Sequence, residues 1–305
     1  MGKIKYPFLV LAALSASIAL VMALTGLGRE RSRSAGTAFS KSKIAVVELS
    51  GVMTSSQSVG SRATSARKII AQLEKYREDA SVKAIVLRVD TPGGTVVAAQ
   101  EIHGELLRLR GEAGKKIVVS MADLAASGGY YVACAADRVF ASPGTLTGSI
   151  GVIMQFPNYQ ELFGKIGFGT NTIKSGEFKD VGNGARVMSE RDRALLQGLV
   201  DDVYAQFVEA VAAGRHMSPE QVRPLADGRI YSGRQAKQLG LVDELGDLDA
   251  AILAAARLAG IEGKPEVIRE TPRRGIWEML DARIAGILPA ALSQDTQAKL
   301  LYLWQ

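Results

Sequence analysis

The sequence predicts an α/β protein with a largely parallel sheet, carried behind one apolar segment of membrane-spanning length. Three observations predict it. Between about residues 43 and 155, short β-branched runs alternate with longer stretches of helical spacing, the pattern of βαβ units. After about Ser189 the chain reads as helical. At the other end, Lys5 and Arg29 bracket 23 residues, Tyr6 to Gly28, that carry no charge. Of 305 residues 47% are hydrophobic and 22% charged, so a sizeable core in one large domain or two small ones is within reach.

Composition also excludes. One cysteine, Cys134, rules out an intrachain disulfide framework and any multi-cysteine zinc or iron–sulfur site. Two histidines, His103 and His216, leave little room for a histidine-rich metal centre and limit a Ser-His-Asp hydrolase to two bases. The net charge of +6 is not gathered into one basic tract, which argues against a nucleic-acid partner and suits a surface near anionic lipid.

Residues 1–5 form a short flank and residues 6–28 the apolar span. As a helix the span reaches about 35 Å, enough for a hydrocarbon core of roughly 30 Å. A cleaved signal peptide is the rival, but its apolar region normally runs only about 7–15 residues, and no clear small-x-small site closes this one. The reading is an uncleaved transmembrane anchor. Lys3 and Lys5 before it and Arg29, Arg31 and Arg33 after it leave orientation open on charge alone. Residues 29–42 read as a linker.

Ile44–Val52 is a β-branched strand and Ala63–Tyr76 a helix. Lys83–Asp90 is the next strand, then TPGG and a helix over Val96–Arg110. Lys116–Met121 is a third strand, followed by a helix from near Ser127 to Ala136. Arg138–Pro143 and Ser149–Gln155 are further strand candidates. Helices are expected over Ser189–Ala213, Ser218–Ala226, Gly233–Leu239 and Leu248–Leu258. The tail from residue 261 carries a weak amphipathic pattern around Ile276–Leu288 and ends in the apolar LLYLW. It reads as an element that packs on a partner in assembly or on the membrane, a segment that occupies a neighbouring active site, or an ordinary surface helix.

Two glycine pairs lie where a strand gives way to a helix, Gly93–Gly94 and Gly128–Gly129. Backbone N–H groups at such junctions are unpaired, the geometry an oxyanion needs, and glycine admits a close approach. Ser127 precedes Gly128. By spacing alone the commoner account makes Ser127 an N-cap and the glycines turns. The surroundings are not G-x-S-x-G, so a nucleophile elbow is not supported. His103 falls mid-helix and His216 at a helix junction, where packing and capping are the plain accounts. A lysine serves as base if a dry pocket lowers its pKa by about three units from about 10.4. Lys174 and Lys179, in TIKSGEFKD, lie in a loop, and spacing does not choose between them.

These stretches, with KAIVLRVDTPGG, VSMADLAASGGYYVACAADRVFASPGTLTGSIGVI and DGRIYSGRQAKQLGLVDELG, resemble the signal peptide peptidase A family, membrane-anchored Ser/Lys peptidases of the Clp/crotonase superfold. The match spans about Ile44 to Gly246. The resemblance implies repeated ββα units in a peptidase domain over residues 43–260, with a tail over 261–305. It places the nucleophile at Ser127, the general-base lysine at Lys179, the oxyanion donors at Gly94 and Gly128, and a lysine-orienting serine at Ser149. It implies no metal and no cofactor. It further implies cleaved signal peptides as substrate, a single-pass cell-membrane location with the catalytic body extracytoplasmic, and a homo-oligomeric ring, an octamer, whose dyad is shared between neighbouring protomers. Ile150, Val152 and Met154 are candidate pocket walls. Competing readings are a broader membrane-protein quality-control protease, a crotonase-like acyl-CoA enzyme, and an inactive membrane scaffold.

Overall fold

A computed structural model describes residues 42–55 and 63–270, and the backbone of 301–303. The apolar span 6–28, nearly all of the linker 29–42 and the amphipathic stretch Ile276–Leu288 lie outside the described residues. Among the described residues no helix is long and apolar enough to cross a membrane.

The strands are β1 (Lys43–Ser50), β2 (Met53–Thr54), β3 (Thr64–Ser65), β4 (Val82–Thr91), β5 (Gly93–Thr95), β6 (Lys116–Ala126), β7 (Arg138–Ala141), β8 (Leu146–Gly148), β9 (Ile230–Ser232), β10 (Glu244–Leu245), β11 (Glu266–Arg269) and β12 (Leu301–Leu303). The helices are α1 (Ala66–Glu78), α2 (Val96–Gly111), α3 (Gly128–Ala133), α4 (Gln160–Lys165), α5 (Glu190–Arg215), α6 (Pro219–Val222), α7 (Gly233–Gln238) and α8 (Leu248–Leu258). The main sheet runs β10-β7-β6-β4-β1-β11 with every pair parallel, and β8 joins β6 in parallel before pairing antiparallel with β9. The expected α/β class with a largely parallel sheet is therefore the observed one.

Parallel strands are buried on both faces, so their sequences are apolar throughout and not alternating. Ala45, Val47 and Leu49 of β1, with Ile85, Leu87 and Val89 of β4 and Ile117, Val119 and Met121 of β6, face the main core, which includes residues of α1, α2, α3 and α5. Ile44, Val46, Ala84, Val86 and Val118 face the other way, against Ala251, Ala254 and Ala255 of α8. The small side chains on α8 leave little bulk between helix and sheet.

The element ends shift where local chemistry decides. Helix α6 stops at Val222 and gives way to a 3-10 turn over Arg223–Leu225, short of the expected Ala226, because Pro224 has no N–H to donate. Ser149–Gln155 is not a strand: β8 ends at Gly148, and Gly148 (φ 81°) and Ser149 (φ 50°) both take left-handed conformations that a strand cannot continue through. Strand β6 runs five residues past the expected Met121. Its first half pairs with β7 and its second half, Leu124–Ala126, with β8. That change of partner carries the chain out of the sheet at Ser127.

His103 on α2 packs its ring against Tyr131 at 4.9 Å, and Tyr131 meets Phe207 edge-on at 5.2 Å. Burial, helped by Arg110, pushes the His103 pKa down to about 4. The folded protein therefore holds a neutral imidazole where the unfolded chain is protonated below about 6.5. Between these values the unfolded state binds more protons, so stability falls as pH drops from 6.5 to 4 and this group costs nothing further below that. Urea unfolding across that range should show a loss approaching 3 kcal/mol. A His103→Gln variant should show a flatter profile over the same interval; an unchanged slope would contradict the assignment.

Candidate functional site

Ser127 sits at the mouth between β6 and α3 and is buried, with 1% of its surface exposed. Its backbone is at φ 52°, ψ −115°, a conformation that is costly for a residue with a Cβ. Its N–H donates to the Gly148 carbonyl at 2.8 Å, and its own carbonyl accepts from Tyr131 N–H at 2.9 Å. The N-cap account does not survive. The Ser127 side chain makes no capping hydrogen bond, whereas Ser189, Ser218, Ser232 and Asp247 each cap their helices. His216 does cap, at the other kind of end: it closes α5 as its C-cap in the left-handed conformation, at φ 55°, with its N–H donating to the Ala212 carbonyl. Neither histidine hydrogen-bonds Ser127 among the described residues. Burial pushes the Cys134 thiol up to about 12, so it is held as a neutral thiol in the core.

The first glycine pair forms β5. Gly94 lies opposite Met53 of β2, and a Cβ on Gly94 would stand 2.0 Å from the Met53 carbonyl oxygen. Only glycine permits that approach. Thr91, fully buried, ties the two glycine segments together. Its hydroxyl oxygen accepts from Gly93 N–H at 3.0 Å and lies 2.5 Å from the Gly51 carbonyl, to which it donates. Its methyl fills the space beside Gly129, where a Cβ would come within 2.6 Å. The TPGG strand and the helix behind Ser127 are thus locked by one side chain.

A second strand already lies on β5. Backbone residues 301–303 pair antiparallel with it, with Tyr302 opposite Gly94 and Leu303 opposite Gly93, and they lie against α2 and α3 as well. The end of the tail adds a strand along the glycines that precede α2.

Ser149 follows Gly148 and is buried; its N–H donates to the Arg229 carbonyl at 2.8 Å. It lines a cavity of about 610 Å³ together with Val152, Ile153, Val200, Tyr204 and Asp227. Of the three expected pocket walls only Val152 lines this cavity, and Ile150 belongs to the main core instead.

Lys179 is placed differently. It lies in a 3-10 turn, Glu177–Asp180, with its side chain exposed. Among the described residues its ammonium makes no hydrogen bond or ion pair, and none joins it to Ser127 or Ser149. Lys174, the alternative, is engaged: its ammonium donates to Asp180 Oδ1 at 2.7 Å and to the Glu177 carbonyl at 2.8 Å. Arg186 grips the same carboxylate with Nε and Nη2, each at 3.0 Å, and reaches Asp192 with Nη1. These cations hold the Asp180 carboxyl well below the usual range, and Arg186 holds Asp192 at about 2. The segment around the turn also presents Ile166 and Val187, each 68% exposed, with Ile173 fully so.

The sequence reading thus named Ser127, Gly94, Gly128 and Ser149, which the fold gathers around the end of β6, and Lys179, which one chain leaves in solvent. It missed Thr91, although TPGG contains it, and Arg186, whose role depends on a carboxylate six residues away in an irregular segment.

Residues 110–262 match peptidase family S49. The chain is 41% identical over 222 residues to a Synechocystis sp. protein named "Putative protease", covering 73% of this chain and 76% of that one. It is 40% identical over 186 residues to "Putative signal peptide peptidase SppA" of Enterococcus faecium, covering 61% and 54%. It is 36% identical over 233 residues to "Protease 4" of Salmonella typhi, covering 73% of this chain and 37% of the other.

Two substitutions test the local geometry. Thr91→Val keeps the methyl beside Gly129 but leaves the Gly93 N–H buried without its acceptor, a loss of about 1–3 kcal/mol in denaturant unfolding. Gly94→Ala should cost more, because β2 and β5 must part to admit the methyl. Wild-type stability in both variants would contradict the packing described.

Proposed function

Taking as premise that the chain belongs to peptidase family S49, the signal peptide peptidase A family, and is a serine peptidase, we propose that Ser127 is its nucleophile and Lys179 its general base. The observation that carries this reading is a strained, buried serine beside a glycine strand that already accepts an extended chain antiparallel. A peptide substrate adds to β5 in the same way, by backbone pairing, which sets its scissile carbonyl at the mouth between β6 and α3.

Lys179, uncharged, takes the Ser127 hydroxyl proton as Oγ attacks the carbonyl carbon. The N–H groups of Gly94 and Gly128 stabilise the resulting oxyanion. Collapse of the tetrahedral intermediate breaks the C–N bond, and the protonated lysine supplies the leaving amine with its proton. Water, deprotonated by the same lysine, then releases the acyl group. Ser149 orients the ammonium. The apolar walls of the neighbouring cavity, Val152, Ile153 and Val200, suit an apolar side chain of the substrate.

A general-base lysine needs a dry pocket, and in one chain Lys179 is exposed. The exposed apolar residues of its segment favour burial against another protein surface. Both points support association of copies so that Lys179 of one enters the Ser127 site of the next; the closed ring, an octamer, is what the family resemblance implies for that association. The reading extends to residues 6–28 as a membrane anchor holding an extracytoplasmic catalyst, with remnant signal peptides as substrate.

Hydrolysis of a fluorogenic signal-peptide substrate tests the dyad. Ser127→Ala should lose more than about 10³-fold in kcat and all labelling by an acylating serine-directed probe. Lys179→Ala should lose hydrolysis comparably. Normal cleavage by either variant would overturn the assignment. Removing residues 301–305 should lower KM with kcat unchanged, since the tail strand competes for β5; an unchanged KM would contradict that competition.

A further inference from the structure

We propose that Arg186, together with Lys174, sequesters the Asp180 carboxylate from its chain neighbour Lys179, which makes Arg186 a positioning residue for the general base. The inference rests on the Ser127/Lys179 reading. Lys179 and Asp180 are consecutive in one 3-10 turn. A free carboxylate within about 4–6 Å of an ammonium favours its charged form by about 1–3 pH units, the opposite of what a base requires.

The turn is built to prevent that pairing. Arg186 Nε meets Asp180 Oδ2 and Nη2 meets Oδ1, each at 3.0 Å, while Lys174 Nζ takes Oδ1 at 2.7 Å. Both carboxylate oxygens are occupied by cations other than Lys179. Glu177, the other acid of the turn, pairs with Arg191 at 2.8 Å, and Arg191 also lies over the Phe178 ring at 5.6 Å. The third acid nearby, Asp192, is 2% exposed and belongs to the capping box of α5, where Ser189 and Arg186 engage it. One guanidinium therefore joins the turn that carries Lys179 to the start of a 26-residue helix. It holds the turn that carries the base and neutralises the carboxylate next to it in the chain, whose free charge would favour the protonated lysine.

The test is the pH dependence of kcat/KM for the full-length protein on a fluorogenic peptide. Arg186→Gln should move the acidic limb up by about one unit, with roughly tenfold less activity below the limb and recovery above it. The double variant Arg186→Gln/Asp180→Asn should return the limb to its wild-type position. Lys174→Gln keeps the Arg186 clamp, so it reads the same effect even if Arg186→Gln does not fold, and should move the limb the same way by less. A limb that stays in place in Lys174→Gln and in folded Arg186→Gln, or a loss equal at every pH, overturns the proposal. So does a shift that Asp180→Asn fails to reverse. Lys179→Ala separates the two failures: activity that persists there refutes the dyad itself, whereas its loss beside an unmoved limb refutes only the clamp.

Discussion

The site depends on one constraint, the left-handed backbone at Ser127 where the chain passes from β6 into α3. A β-carbon in that conformation is strained, and a lone junction would relax by rotating into the extended or helical well. It does not relax because both sides are held. Strand β6 is locked into the sheet by β4 along its length and by β7 and then β8 on the other side. Helix α3 is buried at every residue, with the Tyr130 hydroxyl donating to the Leu241 carbonyl at 2.8 Å. The parallel core thus supplies the rigidity that holds Ser127, a buried polar residue, in this backbone conformation.

The surrounding pieces refer to the same point. The Ser127 N–H holds Gly148, which turns the chain into Ser149 and towards the cavity. Thr91 holds Gly93 and fills the space beside Gly129, so the glycine strand and the helix behind the serine keep a fixed spacing. A fixed spacing of this kind is what the proposed oxyanion donors, Gly94 and Gly128, require, because preorganised donors need not reorient when charge appears.

Much of this was legible in the sequence. β-branched runs at Ile44, Ile85 and Ile117 mark buried strands because both faces of a parallel sheet are apolar, and α8 appears over the residues its periodicity indicates. What periodicity does not encode is conformation at single residues. The strand expected at Ser149–Gln155 fails at its first residue, where positive φ at Gly148 and Ser149 ends β8, and the capping role of Ser127 fails because its side chain makes no capping hydrogen bond. Short edge strands such as β9, β10 and β11 carry too few residues for a pattern. The ion cluster around Asp180 joins side chains across an irregular loop, where no period exists to read. The resemblance to a peptidase family supplied roles, whereas the structure supplied the strain, the glycine contacts and the exposure of Lys179.

That exposure sets the central claim: Ser127 is buried in one chain while Lys179 is exposed, and the proposed dyad therefore draws its lysine from a second copy. The direct measurement is hydrolysis by co-assembled Ser127→Ala and Lys179→Ala subunits, each of which should be inactive assembled alone. Random mixing should restore up to about a quarter of wild-type activity, because that share of interfaces pairs an intact serine with an intact lysine. A verified mixed assembly that stays inactive would contradict the shared site and place the pair within a single chain.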